Sequence, residues 1–523
     1  MRLSGENLKD REFWERADIS LPAFNRDEMI AATCAAASAA PRWVHFGAGN
    51  IFRAFPAALA QTLLEKGLEK AGIVVAVRYD KQTIDDCFGA YDNLSLLVTL
   101  KSDGSTDKKV IASIASYLGM DNDWAALKNI FTSPSLQMAS FTITEKGYNL
   151  SGPDAAFLPE IAADMSGGPA CANSFLGRIA ALCFERYTHG SPPLALVSMD
   201  NCSHNGDKLF AAVETFASGW VEKGAADAGF LDYVRDSKKL SFPWTMIDKI
   251  TPGPDKGVEE TLTVMGLENM QSRKVGKGTL IAPYVNAEET QYLVIEDAFP
   301  NGRPALEKAG VLFTDRQTVD KVEKMKVGTC LNPIHTALAI FGCMLGFKRM
   351  NEEMKDADLL KLAEGIGYTE GLPVAIDPGI LSPKKFIDEV IKIRIPNPFL
   401  PDAPQRIATD SSQKIPVRFG GTLRAYRDSE KNLGELKFIP LVFAGWLRYL
   451  LGIDDEGNPF EVSPDPLYED LSQNLNDIKS ILSNPSLFGI DLYEIGLGER
   501  VEEYFIQMTS GPGAVRKLLS QIV

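Results

Sequence analysis

The stretch WVHFGAGNIFRA, residues 43–54, decides the fold of this chain. Four residues of strand character lead into two glycines, and a helical pattern follows to about Glu65. Glycines at a strand-to-helix turn let the backbone approach a pyrophosphate, whose charge is met by the N-terminus of the helix. The turn therefore predicts a dinucleotide site, with the candidate cofactor-binding residues Gly47, Gly49, Asn50, Ile51 and Phe52.

The glycine pattern is incomplete, because Phe52 stands where the third glycine of the full fingerprint belongs. A plain strand-to-helix turn without a ligand is the alternative interpretation. The next predicted strand ends at Asp80. An acidic residue there accepts hydrogen bonds from the adenosine ribose and repels a 2′-phosphate, so Asp80 favours NAD as the cofactor. Arg78 instead favours NADP, and Asp80 has a structural alternative as a solvated residue at a strand end.

Short β-branched runs alternate with helical patterns over the first 300 residues. The predicted strands lie within 43–46, 72–79, 138–144 and 193–199. This alternation is typical of a doubly wound α/β fold with a parallel sheet, here a Rossmann-like dinucleotide-binding domain over residues 1–300. The Ala-rich stretch 31–40 reads as a plain helix.

After residue 300 the apolar spacing becomes mostly helical, which predicts a mainly α-helical substrate and catalytic domain over residues 301–523. The segment NGRPALEKAG, residues 301–310, is rich in turn formers and is the predicted connection between the two domains.

Composition excludes several classes of function. Of the 523 residues 45% are apolar and 24% are charged, no apolar run is long enough to span a bilayer, and the N-terminus lacks the apolar segment of a secretory signal. The net charge of −15 disfavours binding to nucleic acid or anionic lipid. Seven scattered cysteines without a C-x-x-C pair predict reduced thiols and neither disulfides nor a zinc site. We therefore expect a cytoplasmic, metal-free enzyme for small molecules, a monomer or small homo-oligomer.

The segment KVGTCLNPIH, residues 326–335, carries the catalytic candidates. Asn332 and His335 are three residues apart and share a face if the segment is helical. Hydride transfer from an alcohol needs a base for the hydroxyl proton and donors for the nascent carbonyl oxygen. A desolvated lysine such as Lys326 suits the base. The structural alternative for His335 is a core histidine whose ring nitrogens form hydrogen bonds within the protein.

The chain resembles the polyol-specific long-chain dehydrogenases, the mannitol dehydrogenase family. The resemblance runs from about Trp43 to Pro466 and rests on motifs in a fixed order. They are GAGNIFRA at 47–54, TITEKGY at 142–148, MDNCSHNG at 199–206, FPWTMIDKITP at 242–252, IEDAFPNGRP at 295–304, KVGTCLNPIH at 326–335 and RIPNPFLPDAPQRIATDSSQKIPVR at 394–418.

The resemblance implies roles for the residues of KVGTCLNPIH. Lys326 corresponds to the base, Asn332 to a donor to the substrate oxygen and His335 to a substrate-binding partner. Five residues separate Lys326 from Asn332, one more than in the family pattern, which on a regular helix rotates the lysine by about 100°. Gly328 offers a place for a loop or bulge that absorbs the extra residue, and Glu323 favours Lys326 over Lys324 as the family lysine.

Four further residues take roles from the same resemblance. Asn201 resembles the second asparagine that binds the reacting oxygen, and its structural alternative is a turn residue after a strand. Asp248 resembles an active-site acid, against the alternative of an ion-pair partner of a neighbouring cation. Arg406 and Lys414 resemble the cationic pair that contacts substrate hydroxyls or a carboxylate, against the alternative of solvated surface charges.

The implied activity is an NAD-dependent, metal-independent dehydrogenase that interconverts an open-chain polyol or sugar acid and its ketone. D-Mannonate with D-fructuronate is the first expectation, D-altronate with D-tagaturonate the second and D-mannitol with D-fructose the third. The alternative of another class is a catalytically silent nucleotide-binding regulator, suggested by the extra residue in the lysine motif.

Overall fold

The computed structural model of the protein describes residues 1–34, 41–276 and 278–523. The chain forms two compact units: unit 1 contains Met1–Leu100 and Ser105–Val319, and unit 2 contains Lys101–Gly104 and Asp320–Val523. The division falls at 319/320 rather than at the predicted 300/301, because strand Leu312–Thr314 still pairs with strand Tyr292–Glu296 in unit 1. The predicted connection 301–310 therefore lies inside unit 1.

The strands that the structure describes all belong to unit 1. They are β1 (Ile19–Ser20), β2 (Trp43–Phe46), β3 (Ile73–Val77), β4 (Ser95–Leu100), β5 (Thr106–Ile111), β6 (Ile114–Gly119), β7 (Met138–Phe141), β8 (Leu194–Ser198), β9 (Leu240–Ser241), β10 (Thr245–Asp248), β11 (Arg273–Val275), β12 (Thr279–Ile281), β13 (Tyr284–Glu288), β14 (Tyr292–Glu296) and β15 (Leu312–Thr314).

The α-helices of unit 1 lie between these strands. They are α1 (Arg11–Arg16), α2 (Arg26–Cys34), α3 (Asn50–Ala54), α4 (Pro56–Glu65), α5 (Lys81–Cys87), α6 (Trp124–Thr132), α7 (Pro159–Gly167), α8 (Phe175–Thr188), α9 (Asn205–Glu222), α10 (Ala228–Arg235) and α11 (Lys256–Val264). Single 3₁₀ turns occur at Asn7–Lys9, Gly89–Tyr91, Glu145–Tyr148, Pro169–Cys171 and Leu306–Ala309. Residues 35–40 of the predicted Ala-rich helix lie outside the described residues.

A six-stranded sheet with the order β6-β3-β2-β7-β8-β9 forms the centre of unit 1, and all of its neighbouring strands are parallel. Counted within the sheet, this is the 3-2-1-4-5-6 order of the doubly wound dinucleotide-binding fold. The predicted fold class is therefore confirmed, and each of the four predicted strands lies within its expected range. Smaller sheets have the orders β1-β5-β4-β13, β10-β14-β15 and β11-β12.

Both faces of the parallel sheet are covered, so its strands are apolar on both sides. Val44 and Phe46 of β2 pack in one hydrophobic cluster with residues of α6, α8 and α9. Trp43 packs in a second cluster on the opposite face with residues of α3, α4 and β14. Each large side chain that is fully buried in this way contributes about 1.5–3 kcal/mol relative to an exposed one. The two clusters thus bury the two faces of the sheet.

Unit 2 is helical, as predicted. Its α-helices, of which the first starts in the last residues of unit 1, are α12 (Arg316–Met325), α13 (Asn332–Met344), α14 (Met350–Glu353), α15 (Ala357–Glu364), α16 (Pro383–Glu389), α17 (Pro404–Ala408), α18 (Ser411–Asp428), α19 (Phe438–Tyr449), α20 (Tyr468–Gln473), α21 (Ile478–Leu482), α22 (Pro485–Phe488), α23 (Gly498–Met508) and α24 (Ala514–Ile522). The 3₁₀ turns are Leu372–Val374 and Leu433–Glu435, and π-helical turns occupy Lys326–Cys330, Gly365–Gly371 and Val390–Arg394.

Helix α13 lies at the centre of the unit 2 core. It packs against α19, in which every residue is buried, and a Cβ atom on Gly445 would meet the Phe341 ring at 2.9 Å. The continuous helical stretch Arg316–Met344 is long and apolar enough to cross a membrane by length and composition alone. However, 78% of its most apolar window is buried inside the protein, which is also the situation of a core helix.

Candidate active site

The glycine turn follows β2 at the point where β2 and β7 lie side by side. Gly47 has φ +112° and donates its N–H to the carbonyl of Ala76 at 3.0 Å. A Cβ atom at Gly47 would lie 2.7 Å from the backbone oxygen of Thr142, which follows β7. Only glycine fits this backbone and this contact. The sheet order reverses between β2 and β7, and in open α/β sheets ligands bind at the carboxyl ends of the strands at such a switch point.

Gly49 and Phe52 complete the turn in different ways. Gly49 precedes α3, and a Cβ atom there would meet nothing within 4 Å, so its surroundings in the protein are open. Phe52 is fully buried and stacks on the imidazole of His45 with ring centroids 3.8 Å apart. At the position of the missing third glycine the structure therefore has an aromatic contact between α3 and β2. The side chain of Phe52 contacts the core, so its backbone is what it offers to a cofactor.

His45, which sequence reasoning did not single out, joins β2 to β7 beneath the turn. Its ring nitrogens lie 2.6 Å from Ser140 Oγ and 2.9 Å from Thr142 Oγ1. Burial holds the pKa of His45 well below its usual range, so the ring is neutral at pH 7. The sequence feature that could have pointed to His45 is its place as a histidine in an otherwise apolar strand that leads into the glycine turn.

Asp80 follows β3 and caps α5. Its Oδ1 accepts the N–H of Thr83 at 2.7 Å, and this hydrogen bond lowers the pKa of the exposed carboxyl. The carboxylate therefore has a structural role as an N-cap. Arg78, the residue that favours NADP, is also exposed. The assignment of Asp80 to the ribose stays a prediction.

Asn201 lies in the loop after β8, where it is exposed, as the turn interpretation also expects. The residue before it, Asp200, is buried at 7% exposure. The Tyr148 hydroxyl donates to Asp200 Oδ2 at 2.5 Å, and the Ser198 hydroxyl lies 3.3 Å from the same oxygen. The motifs around Tyr148 and Asn201 thus meet in one hydrogen-bonded cluster, which fixes the loop that carries Asn201.

The buried Asp200 makes the stability of the protein depend on pH. Burial, offset in part by the hydrogen bonds from Tyr148, Ile143 and Ser198, raises the pKa of Asp200 from 3.8 to about 7. The folded state therefore holds this proton more tightly than the unfolded state. The stabilisation is complete below about pH 4 and is lost as the pH rises through about 7.

Asp200→Asn removes this titration while it keeps the shape of the side chain. We expect the wild type to lose on the order of 1–4 kcal/mol of stability relative to the variant between pH 4 and pH 8. Urea unfolding of both proteins across that range measures the difference. Parallel pH profiles of the two proteins would contradict the assignment.

Asp248 ends β10 and is buried. Thr245, at the start of the same strand, is joined to the Asn201 loop by Asn205, whose amide donates to Thr245 Oγ1 at 2.9 Å and to the Asp200 carbonyl at 2.9 Å. Asn205 therefore ties β10 to the loop. The role of Asp248 in substrate binding stays a prediction.

In unit 2, the extra residue of the lysine motif lies in a π-helical turn, Lys326–Cys330, between α12 and α13. The N–H of Leu331 bonds to the carbonyl of Lys326 at 3.1 Å, an i to i+5 hydrogen bond. A π-turn accommodates one more residue per turn than an α-turn. The side chains before and after it therefore keep the directions that they would have in a regular helix without the extra residue. The expected bulge at Gly328 is therefore confirmed as a π-turn.

Pro333 gives a physical reason for the widened turn. Proline has no N–H to bond to the carbonyl four residues earlier, and its ring clashes with that carbonyl in a regular helix. The turn is held by its neighbours: Thr422 Oγ1 donates to the Gly328 carbonyl at 3.2 Å, and the Cys330 thiol lies 3.8 Å from the Pro383 carbonyl. Such turns occur frequently at functional sites.

The structure distinguishes the two candidate lysines by burial. Lys326 is 5% exposed, as a desolvated base requires. Lys324 is exposed and forms a surface ion pair with Asp320 at 2.7 Å. Asn332 and His335 follow in α13, so their spacing does place them on one helix, and both are half-buried.

His335 is surrounded by charged groups from distant segments. Burial lowers the pKa of His335 to about 4; Asp402 opposes this shift, whereas Arg394, Arg418 and Arg406 reinforce it. The imidazole is therefore neutral at pH 7. A neutral ring donates and accepts hydrogen bonds without adding another charge to a region that is already rich in cations.

The cationic pair of the family pattern lies in this region. Arg406 of α17 is mostly exposed and forms an ion pair with Asp402. Lys414 of α18 donates to the carbonyl of Ile407 at 3.3 Å and to that of Thr409. Arg406 is thus one of the charges that act on His335, and Lys414 lies close enough to Arg406 and Arg418 to feel their charges. Each of the two predicted residues also has a local structural partner.

Sequence reasoning missed Arg394 and Arg418. Arg394 is buried at the end of a π-turn, and Arg418 lies one helical turn after Lys414 on the same face of α18. The i, i+4 spacing from Lys414 was a usable signal for Arg418. No comparable local signal exists for Arg394. Within residues 1–34, 41–276 and 278–523, no three His, Cys, Asp or Glu side chains are grouped as metal ligands.

Two family models match the chain, one over most of unit 1 and one over most of unit 2. A model described as the mannitol dehydrogenase Rossmann domain matches residues 41–308. A model described as the mannitol dehydrogenase C-terminal domain matches residues 318–508. The two matches together cover well over half of the chain.

Individual proteins show the same likeness. The chain is 50% identical over 541 aligned positions to D-mannonate oxidoreductase of Thermotoga maritima, covering 100% of this chain and 99% of that protein. A Pseudomonas fluorescens mannitol 2-dehydrogenase, solved with NAD and D-mannitol, is similar with a TM-score of 0.69 and 25% identity over 100% of this chain and 99% of that one. A substrate-free D-sorbitol dehydrogenase shares the fold with a TM-score of 0.81 at 24% identity, over 97% of this chain and 98% of that one.

Proposed function

Because this chain belongs to the mannitol dehydrogenase family, we propose that it is an NAD-dependent oxidoreductase that interconverts D-mannonate and D-fructuronate by hydride transfer. The observation that carries this proposal is the 50% identity to D-mannonate oxidoreductase over the whole length of both chains. The arginines around His335 support an anionic substrate, since guanidinium groups bind carboxylates through paired hydrogen bonds.

Unit 1 supplies the residues proposed to hold the cofactor. The absence of protein atoms within 4 Å of a Cβ atom at Gly49 supports this proposal, and Gly47 keeps the backbone of the turn free of a side chain. The backbone of Asn50, Ile51 and Phe52 offers N–H groups at the start of α3. Asp80 is the proposed ribose ligand and the reason for NAD rather than NADP. Held by these residues, the nicotinamide cofactor would supply the hydride chemistry, as the acceptor in oxidation and as the donor in reduction.

The proposed mechanism assigns the proton to Lys326. In its neutral form the amine accepts the hydroxyl proton as the alcohol is oxidised, and in reduction the ammonium returns it. Asn332 and Asn201 donate amide N–H groups to the substrate oxygen as negative charge develops there. Neutral His335 binds the substrate. This assignment needs no metal ion, because the lysine and the amides supply the polarisation that a metal provides elsewhere.

Three further residues are proposed to bind the rest of the substrate. Arg406 and Lys414 bind hydroxyl groups or the carboxylate, and Asp248 accepts a hydrogen bond from a hydroxyl. A second candidate, mannitol 2-dehydrogenase activity, is favoured by the likeness to the Pseudomonas fluorescens enzyme. The pair D-altronate and D-tagaturonate ranks second among the three candidate substrate pairs, because it too is a hexonate with its ketone.

A substrate panel tests the proposal. D-Fructuronate, D-tagaturonate and D-fructose are each offered with NADH and with NADPH, and the oxidation of the coenzyme is followed by absorbance. We expect the highest kcat/KM with D-fructuronate and NADH. A higher value for D-tagaturonate or D-fructose would assign the enzyme to that ketone. Failure of every ketone despite tight NADH binding would support the silent regulator instead.

We also propose that the enzyme acts in the cytoplasm on a small sugar acid or polyol, as a monomer or a small homo-oligomer. All seven cysteines are free thiols, which suits a reducing compartment. The net charge of −15 supports the exclusion of nucleic acid and anionic membrane as partners.

A further inference from the structure

Arg418 extends from α18 to the helix that carries the catalytic candidates. One of its guanidinium nitrogens donates to Thr336 Oγ1, and Thr336 directly follows His335 in α13. The Thr336 hydroxyl in turn donates to the carbonyl of Asn332 at 2.8 Å. The guanidinium is therefore held against the same turn of α13 that carries Asn332 and His335.

The charge of Arg418 is not balanced in the way that the charge of Arg406 is. Arg406 pairs with Asp402, whereas Arg418 forms no ion pair with a carboxylate anywhere in the described parts of the chain. Burial lowers the pKa of Arg418 to about 10. Burying a cation without a counter-charge costs free energy, and an anionic ligand that binds beside it offsets that cost.

We propose that Arg418 binds the carboxylate of the substrate and thereby selects the sugar acid over the neutral polyol. The proposal rests on the proposed function and adds a residue that determines specificity. The guanidinium plane presents several donors in a fixed geometry, so the nitrogens that do not bond to Thr336 remain suited to a carboxylate. Lys414, one turn earlier on the same helix face, adds positive charge nearby.

The other role open to Arg418 is structural: it joins α18 to α13. A structural role predicts that its loss lowers thermal stability and weakens the reduction of acidic and neutral ketones alike. A role in specificity predicts a selective loss for the acid. The comparison of D-fructuronate with D-fructose, which differ in the carboxylate, separates the two roles.

The test measures kcat and KM of both ketones with NADH, together with Tm and the Kd of NADH, for Arg418→Met, Arg418→Lys and the wild type. Arg427→Leu is the matched control, because Arg427 lies on the same helix, is 51% exposed and pairs with Asp428. We expect Arg418→Met to lower kcat/KM for D-fructuronate about 10- to 100-fold, mainly through KM, the effect of losing a charge-assisted hydrogen bond. The value for D-fructose should change less than about threefold, and Arg418→Lys should lie between.

Equal losses for both ketones, or no loss for D-fructuronate, would overturn the proposal. If Arg418→Met does not fold, Arg418→Lys decides the question by the same ratio of the two ketones. A wild type that reduces no ketone would contradict the proposed function itself. A wild type that reduces D-fructuronate while both variants keep its selectivity would contradict the role of Arg418 alone.

Discussion

Replacement of Lys326 by alanine is expected to lower kcat by about 10²- to 10⁴-fold, the usual contribution of a general base. The physical reason is that the buried amine at the π-turn is the group assigned to the substrate proton. Binding of NADH should be unchanged, since the proposed cofactor residues all lie in unit 1. Stopped-flow reduction of D-fructuronate and fluorescence titration with NADH measure the two quantities.

Lys324→Ala is the matched control for this prediction. It removes the same functional group two residues earlier, where the side chain is exposed and forms a surface ion pair with Asp320. Such surface pairs contribute about 0–1 kcal/mol, so activity and stability should stay close to the wild type. Near-normal turnover in Lys326→Ala would assign the base to another residue.

Replacement of Gly47 by alanine is expected to abolish measurable NADH binding and to lower Tm. The backbone there has φ +112°, which a residue with a Cβ atom adopts at a cost of about 1–3 kcal/mol. The added Cβ atom would also lie 2.7 Å from the Thr142 carbonyl oxygen, so β2 and β7 must shift apart at the switch point of the sheet. Differential scanning fluorimetry with and without NADH measures both effects.

Gly49→Ala separates cofactor binding from folding. At Gly49 the backbone is ordinary and a Cβ atom meets no protein atom within 4 Å. The Tm without cofactor should therefore match the wild type, while the affinity for NADH falls because the methyl group occupies the space proposed for the pyrophosphate. Unchanged NADH affinity in both glycine variants would place the cofactor elsewhere.

The fold could be predicted from local sequence, because its determinants are local. The β-branched runs and the glycine turn each act over about ten residues, and all four predicted strands lie where expected. The stack of Phe52 on His45 was not predictable in the same way. The stack depends on a contact between a strand and the helix that follows it. In the full fingerprint a third glycine lets that helix and strand pack closely at this position.

The candidate site was predictable only in part. The family motifs named Asn332, His335, Arg406 and Lys414, and the structure brings charges of these segments together around His335. The spacing from Lys414 could have pointed to Arg418, but its contact with Thr336, 82 residues away in sequence, could not be predicted. Side chains that meet only through tertiary packing leave no periodic or motif signal in a single chain.

The π-turn removes the main argument for a silent regulator. That alternative arose because one extra residue separates Lys326 from Asn332 and would rotate the lysine away on a regular helix. The i to i+5 hydrogen bond at Leu331 accommodates this residue within one turn. The departure from the family spacing is therefore compatible with a working base, and the kinetics of Lys326→Ala test it.

Transfer of deuterium tests the central claim most directly. The enzyme is incubated with D-fructuronate and NADH that carries deuterium at the transferable position of the nicotinamide, and the product is identified by NMR and mass spectrometry. The account predicts D-mannonate with a single deuterium on the former ketone carbon. A product without deuterium, or no D-mannonate at all, would contradict it.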